Sequence, residues 1–317
     1  MTRRGNMVRL AKEYLAYRRN LGFQLQKRET LLLQFAEYVD RAGHRGPLTT
    51  ELAVRWARRA DQVSPSYWAV RLDVVRDLAR YLAIVDPDTE IPPRGLLGPA
   101  FRRVTPHIYS EAEMAALLAA ARRLSPRNGL RPHTYATLFG LLACTGLRGS
   151  EARRLTRADV AWEQNLLTIR ATKFRKTRLV PLHPTTTRAL RTYAQLRDRF
   201  HPVPRSEGFF VTGRGTFLSA TVVQRTFERL RDQLSWSARS GTRAPRIHDF
   251  RHTFACRRLL QWYKQGVVVD PIIDALSTYL GHTGVKNTYG YLTGVPELLE
   301  LAVARFEAYA STPGNPS

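Results

Sequence analysis

Cysteine is nearly absent: Cys144 and Cys256 are the only two in 317 residues. That excludes a disulfide framework and a cysteine-based zinc site, and their apolar sequence neighbours suit reduced core thiols. Long hydrophobic runs are also missing, since the longest apolar stretch, Ala136 to Leu147, falls short of the roughly 20 residues that span a bilayer. The pair Arg3 and Arg4 is followed by Arg9, Lys12 and Glu13 rather than by the apolar run of an export signal. A cytoplasmic protein without membrane association is therefore expected. The 26 acidic residues are scattered and offer no carboxylate cluster of the kind that holds catalytic metal. His248 and His252 stand four apart, but no Glu of a metalloprotease helix lies between them. The "GRG" at 213–215 lacks the Lys-Ser/Thr ending of a phosphate-binding loop. Neither a metal nor a nucleotide cofactor is expected.

What the chain has in excess is positive charge. Fifty basic residues give a formal charge of +24 and a pI near 11.0, which favours a polyanionic partner, nucleic acid first. Six of the fifty are Lys and the rest are Arg, whose planar fork grips phosphate oxygens in pairs. Residues 1–106 carry 19 basic and 11 acidic side chains and the remainder 31 and 15, so both halves can touch the same polyanion. With 44% hydrophobic residues, the length is enough for a core in each of two domains.

Apolar residues at helical spacing run from Val8 to about Asp86, with Leu32, Phe35, Ala36 and Val39 in one stripe and Trp68, Leu72, Val75, Ala79 and Leu82 in another. Gly22 and Gly43 read as helix stops, and Thr50 and Ser64 to Ser66 as starts. Four helices with basic outer faces, bearing Arg55, Arg58, Arg59, Arg71, Arg76 and Arg80, would make a DNA clamp over residues 1–86. For any one of these arginines, a solvated face is the simpler reading. Pro87, Pro92, Pro93, Pro99 and Pro106 with Gly95 and Gly98 mark a linker at 87–106. A second domain is expected over 107–310, with a polar tail at 311–317. Ser110 and Glu113 read as a capping box, and a helix runs from about His133 to Cys144. Leu166 to Arg170 and Arg178 to Leu182 read as a β-hairpin. Further helices are expected near 184–200, 219–234, 249–264 and 270–280.

The chemistry lies in cations near element boundaries. "TGLRGSEARR" sets Arg148 after a glycine turn with Glu151 three residues on, so that one acid can orient the guanidinium. "ATKFRKTRLVPL" puts Lys173 and Lys176 in the hairpin turn, where solvated charge is the simpler reading. "HDFRHTFA" gives His248 and Arg251 three apart, and "YLGHTGVKNTYGYL" gives His282, Tyr289 and Tyr291. Taken in order, these motifs resemble the tyrosine recombinase, or phage integrase, family: Arg148 with Glu151, Lys173 in a hairpin, His248-x-x-Arg251, Leu280-Gly281-His282, and Tyr291 nine residues beyond that His. The resemblance spans about residues 107–310.

The resemblance implies a mainly α protein, with an all-helical N-terminal core-binding domain and an α+β catalytic domain containing a small β-sheet. It implies a site-specific DNA recombinase that cuts and rejoins DNA through a 3′-phosphotyrosine link, serving a mobile genetic element. Tyr291 would be the nucleophile, Arg148 and Arg251 would hold the nonbridging oxygens, and Lys173 would be the acid for the leaving 5′-oxygen. His248 and His282 would assist proton transfer, and Glu151 would position the cations. Lys176 remains an alternative to Lys173, and Tyr289 is the decoy for Tyr291. Double-stranded DNA sites and self-association to a tetramer at synapsis are the implied partners, with room for accessory proteins, and the nucleoid is the implied location. An apolar stripe formed by Leu299, Val303 and Phe306 with Leu298, Ala302 and Tyr309 is open to docking on its own protomer or a neighbour. Two rivals differ in mechanism: a type IB topoisomerase, which nicks and relaxes, and a DNA-binding regulator that has lost cleavage.

Overall fold

The computed structural model describes residues 6–23, 25–60, 63–100, 105–170, 177–238, 243–267, 270–281 and 303. Two compact units divide the chain, Met1–Arg103 and Val104–Ser317.

The first unit holds α1 (Met7–Asn20), α2 (Gln26–Arg41), α3 (Thr50–Arg58) and α4 (Pro65–Leu82). Local chemistry fixes their ends. The Asn6 side chain accepts the backbone N–H groups of Val8 and Arg9, and Thr49 accepts that of Leu52, which satisfies donors a helix start leaves open. Pro65 sits in the first turn of α4, where its missing N–H costs nothing. Gly22 and Gly43 adopt φ of +84° and +68° just past α1 and α2, as helix stops do. The two expected stripes meet in one core, where Leu32, Phe35, Ala36 and Val39 pack with Leu72, Val75, Ala79 and Leu82. Trp68, expected at the head of the second stripe, is instead half-buried outside that core and donates from Nε1 to the Ala60 carbonyl at 2.9 Å.

The basic outer face expected for α4 is smaller than the sequence suggests. Arg71 and Arg76 are buried rather than outward. Arg71 Nη2 donates to the Trp56 carbonyl at 2.9 Å, with its guanidinium 3.8 Å from the Trp56 ring centroid. Arg76 donates from Nε to the Pro92 carbonyl at 2.7 Å and from Nη2 to the Pro93 carbonyl at 2.8 Å, and it also pairs with Asp73. The backbone N–H of Glu90 reaches the Leu48 carbonyl, while its carboxylate takes the Thr50 N–H at 2.8 Å. Prolines leave carbonyls without a ladder to join, and buried arginines satisfy them. The proline segment is thus fastened to the helical unit by hydrogen bonds through residue 93, and beyond them Leu97 packs against the same core.

The second unit holds α5 (Glu111–Arg122), α6 (Leu130–Thr145), α7 (Gly149–Arg154), a 3-10 turn (Arg157–Asp159), β1 (Val160–Ala161), β2 (Leu166–Ile169), β3 (Arg178–Pro181), α8 (Pro184–Phe200), α9 (Ala220–Gln233), α10 (Asp249–Lys264) and α11 (Asp270–Leu280). The strands form one antiparallel sheet in the order β1-β2-β3, so the expected hairpin is present with a short extra strand. In the β2–β3 register Leu167 faces Val180 and Ile169 faces Arg178. The Ser110–Glu113 capping box forms as expected. Helix α6 packs against α5, α8 and α10 through Leu138, Phe139, Leu141 and Leu142, all buried. Each such side chain contributes roughly 1.5–3 kcal/mol on full burial. Cys256 is a buried thiol, but Cys144 is exposed, because the turn of α6 carries it away from the core. Among the described residues no helix is long and apolar enough to cross a membrane.

Candidate active site

Three segments far apart in sequence meet within the second unit. The first is the turn after α6. Gly146 ends that helix in the left-handed region, with φ +62°, and a Cβ there would lie 2.6 Å from Phe254 Cδ1. Glycine is required on both counts. The sharp turn makes Arg148 the residue that caps α7, with Glu151 in the first turn. The Glu151 carboxylate takes the Arg148 backbone N–H at 3.0 Å and Arg148 Nη1 at 2.7 Å.

The second segment is the start of α10. His248 is its N-cap, and Asp249 and Arg251 lie in the first turn. Asp249 is buried and accepts the Arg246 backbone N–H and guanidinium, each at 2.8 Å, an anion suited to a helix N-terminus. Arg251 donates to the Gly146 carbonyl at 3.0 Å and to the Leu280 carbonyl at 2.6 Å. Residues before α5 brace the same helix: the Tyr109 N–H donates to Thr253 Oγ1, and the Tyr109 hydroxyl to the Arg246 carbonyl, both at 3.0 Å.

The third segment is the turn that closes α11. Arg148 Nη2 donates to the Gly281 carbonyl at 2.9 Å, one residue from the Leu280 carbonyl that Arg251 holds. The two guanidinia read from sequence are thus drawn together on the Leu280-Gly281 turn. Arg148 keeps 27% of its side chain exposed, whereas Arg251 is 2% exposed.

Burial would raise the Glu151 carboxyl, but the hydrogen bonds and charges of Arg178 and Arg148 outweigh it and hold the group at about 2. Burial and the neighbouring Arg251 charge lower His248 below the ordinary histidine value, so the imidazole is neutral at pH 7. His252, with its ring centroid 5.0 Å from that of His248, is lowered to about 4 by burial and by His248. Among the described residues no group of three or more His, Cys, Asp or Glu could hold a metal ion.

Arg148, Glu151, His248 and Arg251 therefore converge. Lys173, Lys176, His282, Tyr289 and Tyr291 lie outside the described residues, as does most of the terminal apolar stripe. One participant was missed from sequence. Arg178, on β3, donates to both Glu151 oxygens, at 3.1 and 2.8 Å, and to the Tyr279 carbonyl at 2.9 Å. Its signal was a cation opening a strand whose later residues alternate toward the core.

Residues 108–294 match the phage integrase family. The chain belongs to that family. A putative integrase/recombinase of Sinorhizobium fredii is 42% identical over 300 residues, covering 93% of this chain and 95% of the relative. The Tn1549 transposon integrase, solved in complex with transposon right end DNA, superposes with a TM-score of 0.68 at 16% identity, covering 97% of this chain and 100% of that one. A lambda integrase tetramer bound to a Holliday junction superposes with a TM-score of 0.65 at 16% identity, covering 92% of this chain and 78% of that one. The protein is a site-specific tyrosine-type recombinase, an enzyme of DNA breakage and rejoining, with the mainly helical fold and small sheet of the integrases.

Proposed function

We propose that the Tyr291 hydroxyl attacks a DNA backbone phosphate, forming a 3′-phosphotyrosine link while the bond to the 5′-oxygen breaks. The phenolic proton leaves to His248 or His282, and Lys173 protonates the departing 5′-oxygen. Arg148 and Arg251 hold the nonbridging oxygens, whose charge grows in the transition state. Arg148 is the half-buried and Arg251 the buried member of the pair. Neutral His248 can accept a proton at pH 7. The phosphodiester energy is kept in the tyrosyl link, so rejoining needs no nucleotide.

The observation that carries this reading is the meeting of Arg148 and Arg251 on the carbonyls of Gly281 and Leu280, immediately before His282 and ten residues before Tyr291. Residues 1–86 clamp the duplex and residues 107–310 cut it, in a cytoplasmic protein bound to the nucleoid that serves a mobile element. Exchange between two duplexes takes four cleavages, hence a tetramer at synapsis. On a nicked suicide substrate Tyr291→Phe should abolish the covalent protein–DNA adduct while Tyr289→Phe retains it. The reverse result would move the nucleophile. Relaxation of plasmids lacking a target site would favour a topoisomerase instead.

A further inference from the structure

Glu151 has two cationic partners where one would balance its charge. Its Oε1 accepts Arg148 Nη1 at 2.7 Å and Arg178 Nη1 at 3.1 Å, and its Oε2 accepts the Arg148 N–H at 3.0 Å and Arg178 Nη2 at 2.8 Å. Four donors saturate a carboxylate. The side chains of Glu151 and Arg178 are 7% and 12% exposed against 27% for Arg148, so Arg178 is the inner cation and Arg148 the outer one. The remaining bond of Arg178, from Nε to the Tyr279 carbonyl at 2.9 Å, joins β3 to the end of α11. Its guanidinium also lies over Gly281: a Cβ on that glycine would stand 2.9 Å from Arg178 Nη1, and the glycine has φ +67°.

We propose that Arg178 is a positioning residue for the cleavage reaction, acting through Glu151 on Arg148. Two effects follow from one fork. Geometrically, Arg178 fixes the carboxylate that orients Arg148 and the turn whose carbonyls the two other arginines hold. Electrostatically, it shares the single negative charge of Glu151, so that Arg148 is held without being neutralised. With Arg178 removed, Arg148 and Glu151 would form a neutral one-to-one pair and the pull on a phosphate would fall. Arg178 makes no contact with substrate in this account. The inference rests on the reading of Arg148 as a holder of nonbridging oxygens.

The test is single-turnover cleavage of a nicked suicide substrate carrying either a normal scissile phosphate or an uncharged methylphosphonate. Wild type, Arg178→Gln, Arg178→Lys and Arg148→Ala are compared as rates per folded molecule, with folding followed by thermal melting. Arg178→Gln should lose on the order of 10-fold or more on the phosphate with DNA binding kept, and most of that loss should vanish on the methylphosphonate, which carries no charge for Arg148 to hold. Arg178→Lys should recover part of the rate, since it restores the charge without the fork. A merely structural role would lower both substrates equally, and that result would overturn the inference. Should Arg178→Gln fail to fold, the same comparison is read from Arg178→Lys. Arg148→Ala separates the two layers: if its loss is also equal on both substrates, the reading of Arg148 fails. If its loss is confined to the phosphate while that of Arg178→Gln is not, the inference alone fails.

Discussion

Both units bury arginine, but to different ends. In the first unit Arg71 and Arg76 each serve nearby backbone carbonyls, of Trp56 and of Pro92 and Pro93. In the second, Arg148, Arg178 and Arg251 also take carbonyls, yet those carbonyls all lie at Gly146 or at residues 279–281, and two of the three guanidinia share Glu151. A buried guanidinium is therefore no sign of a site by itself. Convergence is the sign: separate stretches of chain, one turn, and more positive charge than the local acid balances. Arg197, held by the Phe209 carbonyl and Asp198, is a structural case within the second unit.

The largest expected effect sharpens that contrast. Arg148→Ala or Arg251→Ala should cost on the order of 10²-fold or more in cleavage with DNA binding largely retained. Single-turnover cleavage beside a gel-shift titration reads this, and a loss explained wholly by binding would remove the distinction between the units. Next in size is an acid effect specific to the second unit. The Glu151 carboxyl is depressed from 4.5 to about 2 on folding, so its contribution is full above pH 4.5 and is lost as the pH falls toward 2. It amounts to roughly 3 kcal/mol by linkage. Denaturant melts of wild type and Glu151→Gln between pH 6 and 3 should converge as the pH falls, and parallel curves would contradict the shared-carboxylate picture.

Arg76→Ala should cost about 2–3 kcal/mol of stability, because it strands the Pro92 and Pro93 carbonyls, while cleavage per folded molecule stays within about twofold. A catalytic defect in the folded variant would break the comparison from the other side.

How far the sequence was legible follows the same divide. Helices α1 to α4 were readable because stops and stripes are local: Gly22 and Gly43 act within a turn of themselves, Ser64 precedes α4 as read, and the start of α3, read at Thr50, is capped one residue earlier by Thr49. The Arg71 and Arg76 contacts were not, since their carbonyl partners lie 15 to 17 residues away and nothing in a helical wheel distinguishes an arginine that folds back from one that meets solvent. In the second unit Arg148, Glu151, His248 and Arg251 could be picked out because their motifs are short and fall in a fixed order. Arg178 was invisible for the opposite reason: its meaning lies in contacts 27 and 101 residues away, and a strand of four residues carries little pattern. Two-residue β1 escaped notice likewise.

The central proposal is that a tyrosine hydroxyl of this chain forms the covalent bond to DNA. Trapping the adduct on a suicide substrate, digesting it and sequencing the phosphopeptide tests this most directly. The account predicts phosphate on Tyr291 and no adduct from Tyr291→Phe. Phosphate on Tyr289 or on any other residue, or an undiminished adduct from Tyr291→Phe, would contradict it.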